Sequence, residues 1–338
     1  MSENLKSKIF NSFKNNKITH IQLDLNGHCN AGCWFCPVAY DGNPIRTKQP
    51  IKVDLLEKII KNIKEEQDKK HGLISKSFPG FFTSHYNEVL MYPYLEEFFK
   101  ILQKYNFTCS ILSNGTPLTP NKVELLKKYS NVVTHVHLNI PIFSNAELWA
   151  ERTNLNKNLF PKMLRNIRNA IDVLSPETTL TIVVNGFNVA SNQFLSMGKD
   201  FPKDMDLNIN NGENIQELIE AQKLFPEIEV FPNFFIQSRA GSLDHVMSVR
   251  KKNSSKKVIG CNDRINKHKD SGRPFEWLHI NPLGEAFTCC NDFQMESIVG
   301  DFKNQTLSEF WGNDNHINEI INIYEGLCKK CVYAKFEE

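Results

Sequence analysis

Three cysteines, Cys29, Cys33 and Cys36, fall within eight residues. They follow directly on a short run in which Ile21, Leu23 and Leu25 alternate with polar residues. Such alternation has the period of a strand with one apolar face, so the C-x3-C-x2-C triple sits on a loop at a strand end. Three thiolates on one loop can hold three irons of a [4Fe-4S] cube and leave the fourth iron without a protein ligand. An iron with an open position can bind and reduce a small molecule. The competing reading is a structural zinc loop. Tetrahedral closure favours C-x2-C pairs with a second pair elsewhere, and an unpaired triple with Phe35 before its last cysteine fits that poorly.

Composition narrows the classes. At 338 residues and 41% hydrophobic content the chain suits one large domain plus a smaller one, with a full core. The net charge is +2 and the 40 basic residues are spread along the chain. There is thus no electrostatic case for nucleic acid or an acidic membrane surface, and the basic run from Arg250 to Lys257 reads as solvated loop. No apolar run approaches the ~20 residues that span a bilayer. The first sixteen residues have no signal-peptide core or cleavage site and read as a polar arm or first helix. Nine cysteines in such a chain argue against a disulfide framework and for metal ligation in a reducing, cytoplasmic setting.

Along the chain, strands are predicted over Thr19–Asn26, Ser77–Tyr86, Thr108–Leu112, Val132–Ile142 and Thr178–Val184, and near Leu207–Asn210 and Ile228–Ile236. Helices are predicted over Val53–Lys70, Tyr94–Tyr105, Asn121–Tyr129, Leu159–Leu174 and Ile215–Leu224. Strands alternating with helices imply βαβ units and a parallel sheet. The C-terminal ends of such strands carry the chemistry, which is where the cysteine loop lies. About six units are readable, short of the eight of a closed barrel. Beyond Arg239 a polar linker leads to Cys261. Trp277 to Cys290 reads as a hairpin turning at Pro282 to Gly284, and Thr306–Tyr324 as one helix. The chain then reaches Cys328 and Cys331. Four cysteines from separated loops can complete a four-thiolate site, for a cluster or equally for zinc.

The Cys29, Cys33, Cys36 loop resembles that of the radical S-adenosylmethionine (SAM) superfamily. The resemblance implies an α/β core, a partial (β/α)6 TIM-like barrel, over residues 19–240, preceded by an arm at 1–18. It implies that the open iron takes the amino and carboxylate groups of SAM. An electron from the cluster, fed by a flavodoxin- or ferredoxin-type donor, then cleaves SAM to a 5′-deoxyadenosyl radical. At the family's Gly-Gly-Glu-Pro position, whose groups hold the SAM amino nitrogen, this chain has Tyr86, Asn87, Glu88 and Val89. Glu88 keeps the acid, but the glycines and the proline are missing, so backbone carbonyls are an alternative contact. Ser113, Asn114, Gly115 and Thr116 resemble the family's Thr-Asn-Gly turn near SAM, although Asn-Gly is also simply a tight turn. Asn139 and Asn185, at the ends of the fourth and fifth strands, are candidates to face SAM. His135 and His137 share one strand face, either lining a substrate cavity or serving as structural histidines.

Gly284 and Cys289, followed by Cys328 and Cys331, look like the SPASM/twitch extension of the same superfamily, a small α+β domain assigned here to residues 241–338. Only seven residues follow Cys331, without the further cysteines of a full SPASM pattern. The resemblance is therefore to the twitch form, with one auxiliary [4Fe-4S] cluster on Cys261, Cys289, Cys328 and Cys331. Cys290 can replace Cys289, donate a hydrogen atom to a substrate radical, or simply pack. Cys109 has the same last two options. A fully ligated auxiliary cluster suits electron relay and a net oxidation. Family members with this extension dehydrogenate or epimerise sugars and aminocyclitols, while SPASM relatives modify ribosomal peptides. About 18 residues precede the first strand, too few for the leader-binding domain of many peptide-modifying members. That tilts the expectation toward a small hydroxylated substrate over a peptide. A non-catalytic zinc protein is the remaining class.

Overall fold

A computed structural model describes residues 3–83, 85–174, 176–185, 212–233, 239–243, 256–262, 272–331 and 333–337. Six strands follow one another as neighbours in a parallel sheet: β1 (His20–Leu23), β2 (Gly80–Phe82), β3 (Thr108–Ser113), β4 (Val133–Asn139), β5 (Thr179–Asn185) and β6 (Glu229–Asn233). Helices connect them at Val53–Asp68, Leu95–Lys104, Pro120–Lys128, Phe160–Val173 and Gly212–Leu224. This is the expected α/β core, a partial barrel of six βαβ-linked strands. Its cause lies in the two periodicities. Ile21, Leu23, Ile111, Val136 and Leu138 alternate on one face of the sheet. Leu56, Ile59, Ile60 and Ile63 repeat along one stripe of the first connecting helix, and all are fully buried in one apolar core.

The second strand is shorter than its apolar pattern. Pro79 has no N–H for a ladder bond, and at Gly80 a Cβ would stand 2.1 Å from the Thr108 carbonyl oxygen. Pairing therefore begins only at Gly80. The strand expected at 207–210 and the last residues of the one expected at 228–236 lie outside the described residues.

The C-terminal part continues the sheet instead of standing apart from it. After β7 (Val258–Cys261), β8 (Trp277–Ile280) pairs in parallel with β1, Gln22 opposite His279. Then β9 (Glu285–Phe287) and β10 (Ile298–Asp301) add antiparallel. Among the described residues the sheet has nine strands, in the order β10-β9-β8-β1-β2-β3-β4-β5-β6. The predicted hairpin is β8–β9, turned by Gly284 at φ 78°. A separate pair joins β7 to β11 (Ala334–Phe336), with Cys261 opposite Ala334.

The single helix expected over 306–324 is two, Leu307–Phe310 and Asp314–Glu325. Gly312 adopts φ 74° between them, and Asn313 caps the second by accepting from the His316 N–H at 2.9 Å. The break makes room for the N-terminal helix, Glu3–Asn15. Its stripe of Leu5, Ile9 and Phe13 is buried, and the Phe13 ring lies 5.1 Å from Phe275, 5.6 Å from Trp311 and 4.5 Å from His316. This segment is a docked helix, not a free arm. No helix among the described residues is long and apolar enough to cross a membrane.

Phe13 is thus a bolt between the two ends of the chain. Phe13→Ala should cost about 3 kcal/mol of unfolding free energy, read by urea denaturation. A midpoint unchanged from the parent would contradict this packing.

Candidate active site

The loop after β1 is held in place by backbone and amide bonds on every side. Gly27 passes so close to the Thr47 carbonyl that any Cβ would collide with it. Asn43 brackets Cys29, accepting from its N–H at 2.9 Å and donating to its carbonyl at 3.3 Å. The Gly32 and Trp34 N–H groups donate to the carbonyls of Thr153 and Arg152, at 2.8 and 3.0 Å. The Cys36 N–H donates to the Cys33 carbonyl at 2.8 Å, and the chain then turns into a short helix at Val38–Asp41.

The three thiols are brought together and withdrawn from water. Burial pushes the Cys29 thiol up to about 12, with the Glu88 charge adding to the effect. Burial raises Cys33 well above its ordinary value, and its neighbours Cys36 and Cys29 add to this. Burial likewise raises Cys36. Thiols placed this way ionise only against a cation that compensates them, which bound iron does. Among the described residues, no three His, Cys, Asp or Glu side chains are placed to share a single ion. A cube takes each thiolate on a different iron and does not require that.

The turns after β2 and β3 close the far wall. Glu88 is 1% exposed, and its carboxylate accepts from the N–H of Leu90 at 3.1 Å and of Asn114 at 2.7 Å. The acid expected to meet an ammonium group thus also fastens one turn to the other, with acceptor capacity left on both oxygens. Ser113 accepts from the Gly115 N–H at 3.1 Å. Asn114 donates to Asn30 at 2.8 Å and points its amide at the Cys29 sulfur, 3.9 Å away. The Asn-Gly turn is thus tied directly to the cysteine loop.

Between the loop and these turns runs a cleft. Cys29, Cys33, Cys36, Phe35, His85, Tyr86, Asn87, Glu88, Leu112, Ser113, Asn114, Asn139 and Arg239 line it. Two buried acceptors there, Asn139 Oδ1 and Asn87 Oδ1, have no hydrogen-bond partner among the described residues. Such acceptors suit a ligand rich in N–H or O–H donors, so amides and thiols alike fit a cluster-bound SAM.

Other predicted residues fall elsewhere. Asn185 is buried at the end of β5 but does not line the cleft. His137 Nδ1 pairs with the Thr181 hydroxyl at 2.7 Å, and His135 stacks on the His137 ring at 5.6 Å. Cys109, a candidate hydrogen donor, is turned away from the cleft. It does not line the cleft and is buried in the apolar core with Ile111.

The second cysteine group also converges. Cys328 lies within the electrostatic reach of Cys331 and Cys261, and Cys289 within that of Cys331. Asn291 donates to the sulfur of Cys331 at 3.4 Å and, through its N–H, to that of Cys289 at 3.5 Å. The Cys290 sulfur turns to Arg273, whose guanidinium donates to it. The Cys290 carbonyl accepts from the Tyr86 hydroxyl at 2.9 Å and from His85 Nε2. Tyr86 and His85 therefore touch both regions. Sequence reasoning missed the roles of both, along with those of Arg239 and Arg273. All four lie outside the strands, where no periodic signal marks them.

Glu88 gives a pH-dependent test of the turn clamp. Its burial pushes the carboxyl up to about 7 from 4.5, against the pull of its hydrogen bonds. A carboxyl raised on folding contributes stability that is complete below the unfolded value and is lost as pH rises through the folded one. Over that window the cluster-free parent should lose about 1.4 kcal/mol per pH unit relative to Glu88→Gln. Parallel stability curves for the two proteins in urea would contradict the placement.

Comparison with known proteins now bears on the site. The radical SAM superfamily profile matches residues 25–195, and that of SPASM, an iron-sulfur cluster-binding domain, residues 272–332. No curated protein matches the sequence. Among solved structures, BtrN in complex with AdoMet and 2-DOIA is 15% identical, covers 94% of this chain and 93% of its own, and gives a TM-score of 0.52. Streptococcus suis SuiB bound to its precursor peptide SuiA is 12% identical, covers 97% and 74%, and gives 0.57. AdoMet-bound anSMEcpe is 12% identical, covers 94% and 86%, and gives 0.53. At these identities the likeness is one of fold. The two profiles carry the cofactors with them: SAM and a [4Fe-4S] cluster for the first region, auxiliary iron–sulfur for the second. With its first profile spanning half of the sequence and its three thiols gathered at the end of β1, this chain belongs to the radical SAM superfamily.

Proposed function

We propose that this enzyme removes a hydrogen atom from a small hydroxylated molecule of the sugar or aminocyclitol kind, in a dehydrogenation or an epimerisation. The observation that carries the reading is the cleft itself, where three half-buried thiols face the amides of Asn87, Asn114 and Asn139. In this assignment Cys29, Cys33 and Cys36 hold the [4Fe-4S] cluster. Asn139 and Asn87 offer their free acceptors to SAM, and Ser113, Asn114 and Glu88 keep the wall in place. Cys261, Cys289, Cys328 and Cys331 hold one auxiliary cluster.

When bound, the first cluster supplies the electron that splits SAM into methionine and the 5′-deoxyadenosyl radical that takes the substrate hydrogen. The protein's own part is to position and to exclude water. Phe35 and Leu112 give the cleft apolar patches, and Tyr86 with His85 fixes the Cys290 peptide beside the auxiliary ligands. That adjacency suits an electron leaving the substrate toward the second cysteine group, which is what a net oxidation needs. A flavodoxin- or ferredoxin-type protein is the proposed electron donor.

The small-molecule reading draws support from the likeness to BtrN, which extends over nearly the whole of both chains and whose structure holds AdoMet with 2-DOIA. A second reading, maturation of a ribosomally made peptide, draws support from SuiB, whose structure holds SuiA.

Production of 5′-deoxyadenosine tests the proposal. The anaerobically reconstituted, reduced protein should cleave SAM, and the Cys29/Cys33/Cys36→Ala variant should fall to background. Deuterium passing from a labelled sugar or aminocyclitol into 5′-deoxyadenosine supports the first reading. Deuterium passing from a labelled peptide moves the assignment to the second. A parent protein that makes no 5′-deoxyadenosine overturns both.

A further inference from the structure

Among the described residues Arg239 is the one arginine or lysine that lines the cleft. It opens a turn at 239–243 in which Arg239 and Ala240 have φ of 50° and 52°. Side chains beyond glycine seldom enter that region, and such strain gathers where a side chain must be aimed. The residue is half-buried, and its guanidinium lies over the Tyr86 ring, 5.6 Å from its centre. Among the described residues it has no carboxylate within ion-pair distance and no hydrogen-bond acceptor.

Glu88 gives its oxygens to Leu90 and Asn114, and Asp24 faces Asn87 at 3.0 Å and His85 at 3.6 Å. A second guanidinium, Arg273, stands close enough to repel Arg239. The Tyr86 hydroxyl and the Cys290 and Cys36 thiols favour the charge of Arg239, but among the described residues no carboxylate does so. A guanidinium that lines a cleft without a carboxylate partner presents a planar fork that matches two oxygens of one oxyanion.

We propose that Arg239 receives an oxyanion of the substrate, a carboxylate or a phosphate, and thereby makes the enzyme selective for acidic substrates. The inference rests on the reading of this cleft as the SAM and substrate site. It adds to that reading a charged handle, as in a sugar acid, a sugar phosphate or an acidic peptide side chain. The carboxylate of SAM carries the same chemistry. The superfamily resemblance assigns that group to the open iron, which leaves the acid at Arg239 to the substrate.

The test uses the reconstituted protein saturated with SAM, titrated calorimetrically with malonate and with inorganic phosphate at constant ionic strength. The parent should bind at least one of the two saturably, and whichever binds names the oxyanion. Arg239→Gln should weaken that binding roughly 10-fold or more, with Arg239→Lys intermediate. SAM affinity should stay within about twofold of the parent, and iron content should be equal in all three proteins.

Absence of binding in the parent, or equal binding in Arg239→Gln, overturns the proposal and leaves Arg239 as a counter-ion to the cysteine groups. If Arg239→Gln instead loses affinity for SAM but not for decarboxylated SAM, the occupant is the SAM carboxylate, and the substrate assignment is overturned. Should Arg239→Gln lose iron, Arg239→Lys carries the comparison, and anion binding equal to the parent's overturns the proposal. A parent that cleaves SAM without binding either anion sinks this inference alone. A parent that cannot cleave SAM sinks the reading beneath it.

Discussion

A thiol buried beside two other thiols stays protonated unless a cation joins it, and much of this fold serves to hold three of them in that condition. The loop that carries them buries Ala31 and Val38 and is otherwise fixed by polar contacts. Its position is set by single hydrogen bonds: Asn43 on both sides of Cys29, Asn114 through Asn30, and backbone donors to Thr153 and Arg152. Each is worth only about 1 kcal/mol net. Together they determine where the sulfurs sit before any metal arrives. Glu88 belongs to the same scaffold. Its carboxylate makes the turn after β2 and the turn after β3 one rigid wall, so its contribution to the cleft is shape before charge.

The second constraint is the pairing of β8 with β1. Because β1 leads straight into the cysteine loop and β8 leads through β9 to Cys289, one parallel ladder sets the spacing between the two cysteine groups. Tyr86 and His85 then bridge them through the Cys290 carbonyl. The N-terminal helix reinforces the arrangement from behind, its Phe13 ring wedged among Phe275, Trp311 and His316. An electron-relay role for the second group needs such a fixed separation, and a flexible linker between independent domains would not supply it.

Much of this was legible in the residue order. The alternation of Ile21, Leu23 and Leu25 with polar neighbours gave the strand, and the spacing of the three cysteines gave the chemistry. What escaped has physical causes that pattern does not display. Ser77 to Tyr86 looks like a ten-residue strand, but Pro79 and the steric demand at Gly80 trim it to three residues. The helix over 306–324 breaks at Gly312 because Phe13, some three hundred residues earlier, packs within 3.0 Å of where a Cβ would be. Glu88 reads as a ligand for an ammonium group, yet its partners are backbone N–H groups that only the fold brings near. Arg239 follows a strand with no motif around it, and only the cleft shows that it is aimed anywhere.

The claim on which the account stands is that the two cysteine groups hold two separate cubes. Iron and acid-labile sulfide, counted per chain after anaerobic reconstitution, test it most directly when the parent is set beside the Cys29/Cys33/Cys36→Ala variant. The account predicts about eight irons in the parent and about four in the variant. About four in the parent falling to none would leave the auxiliary cysteines empty and remove the basis for electron relay. Zinc in place of iron would contradict the account as a whole.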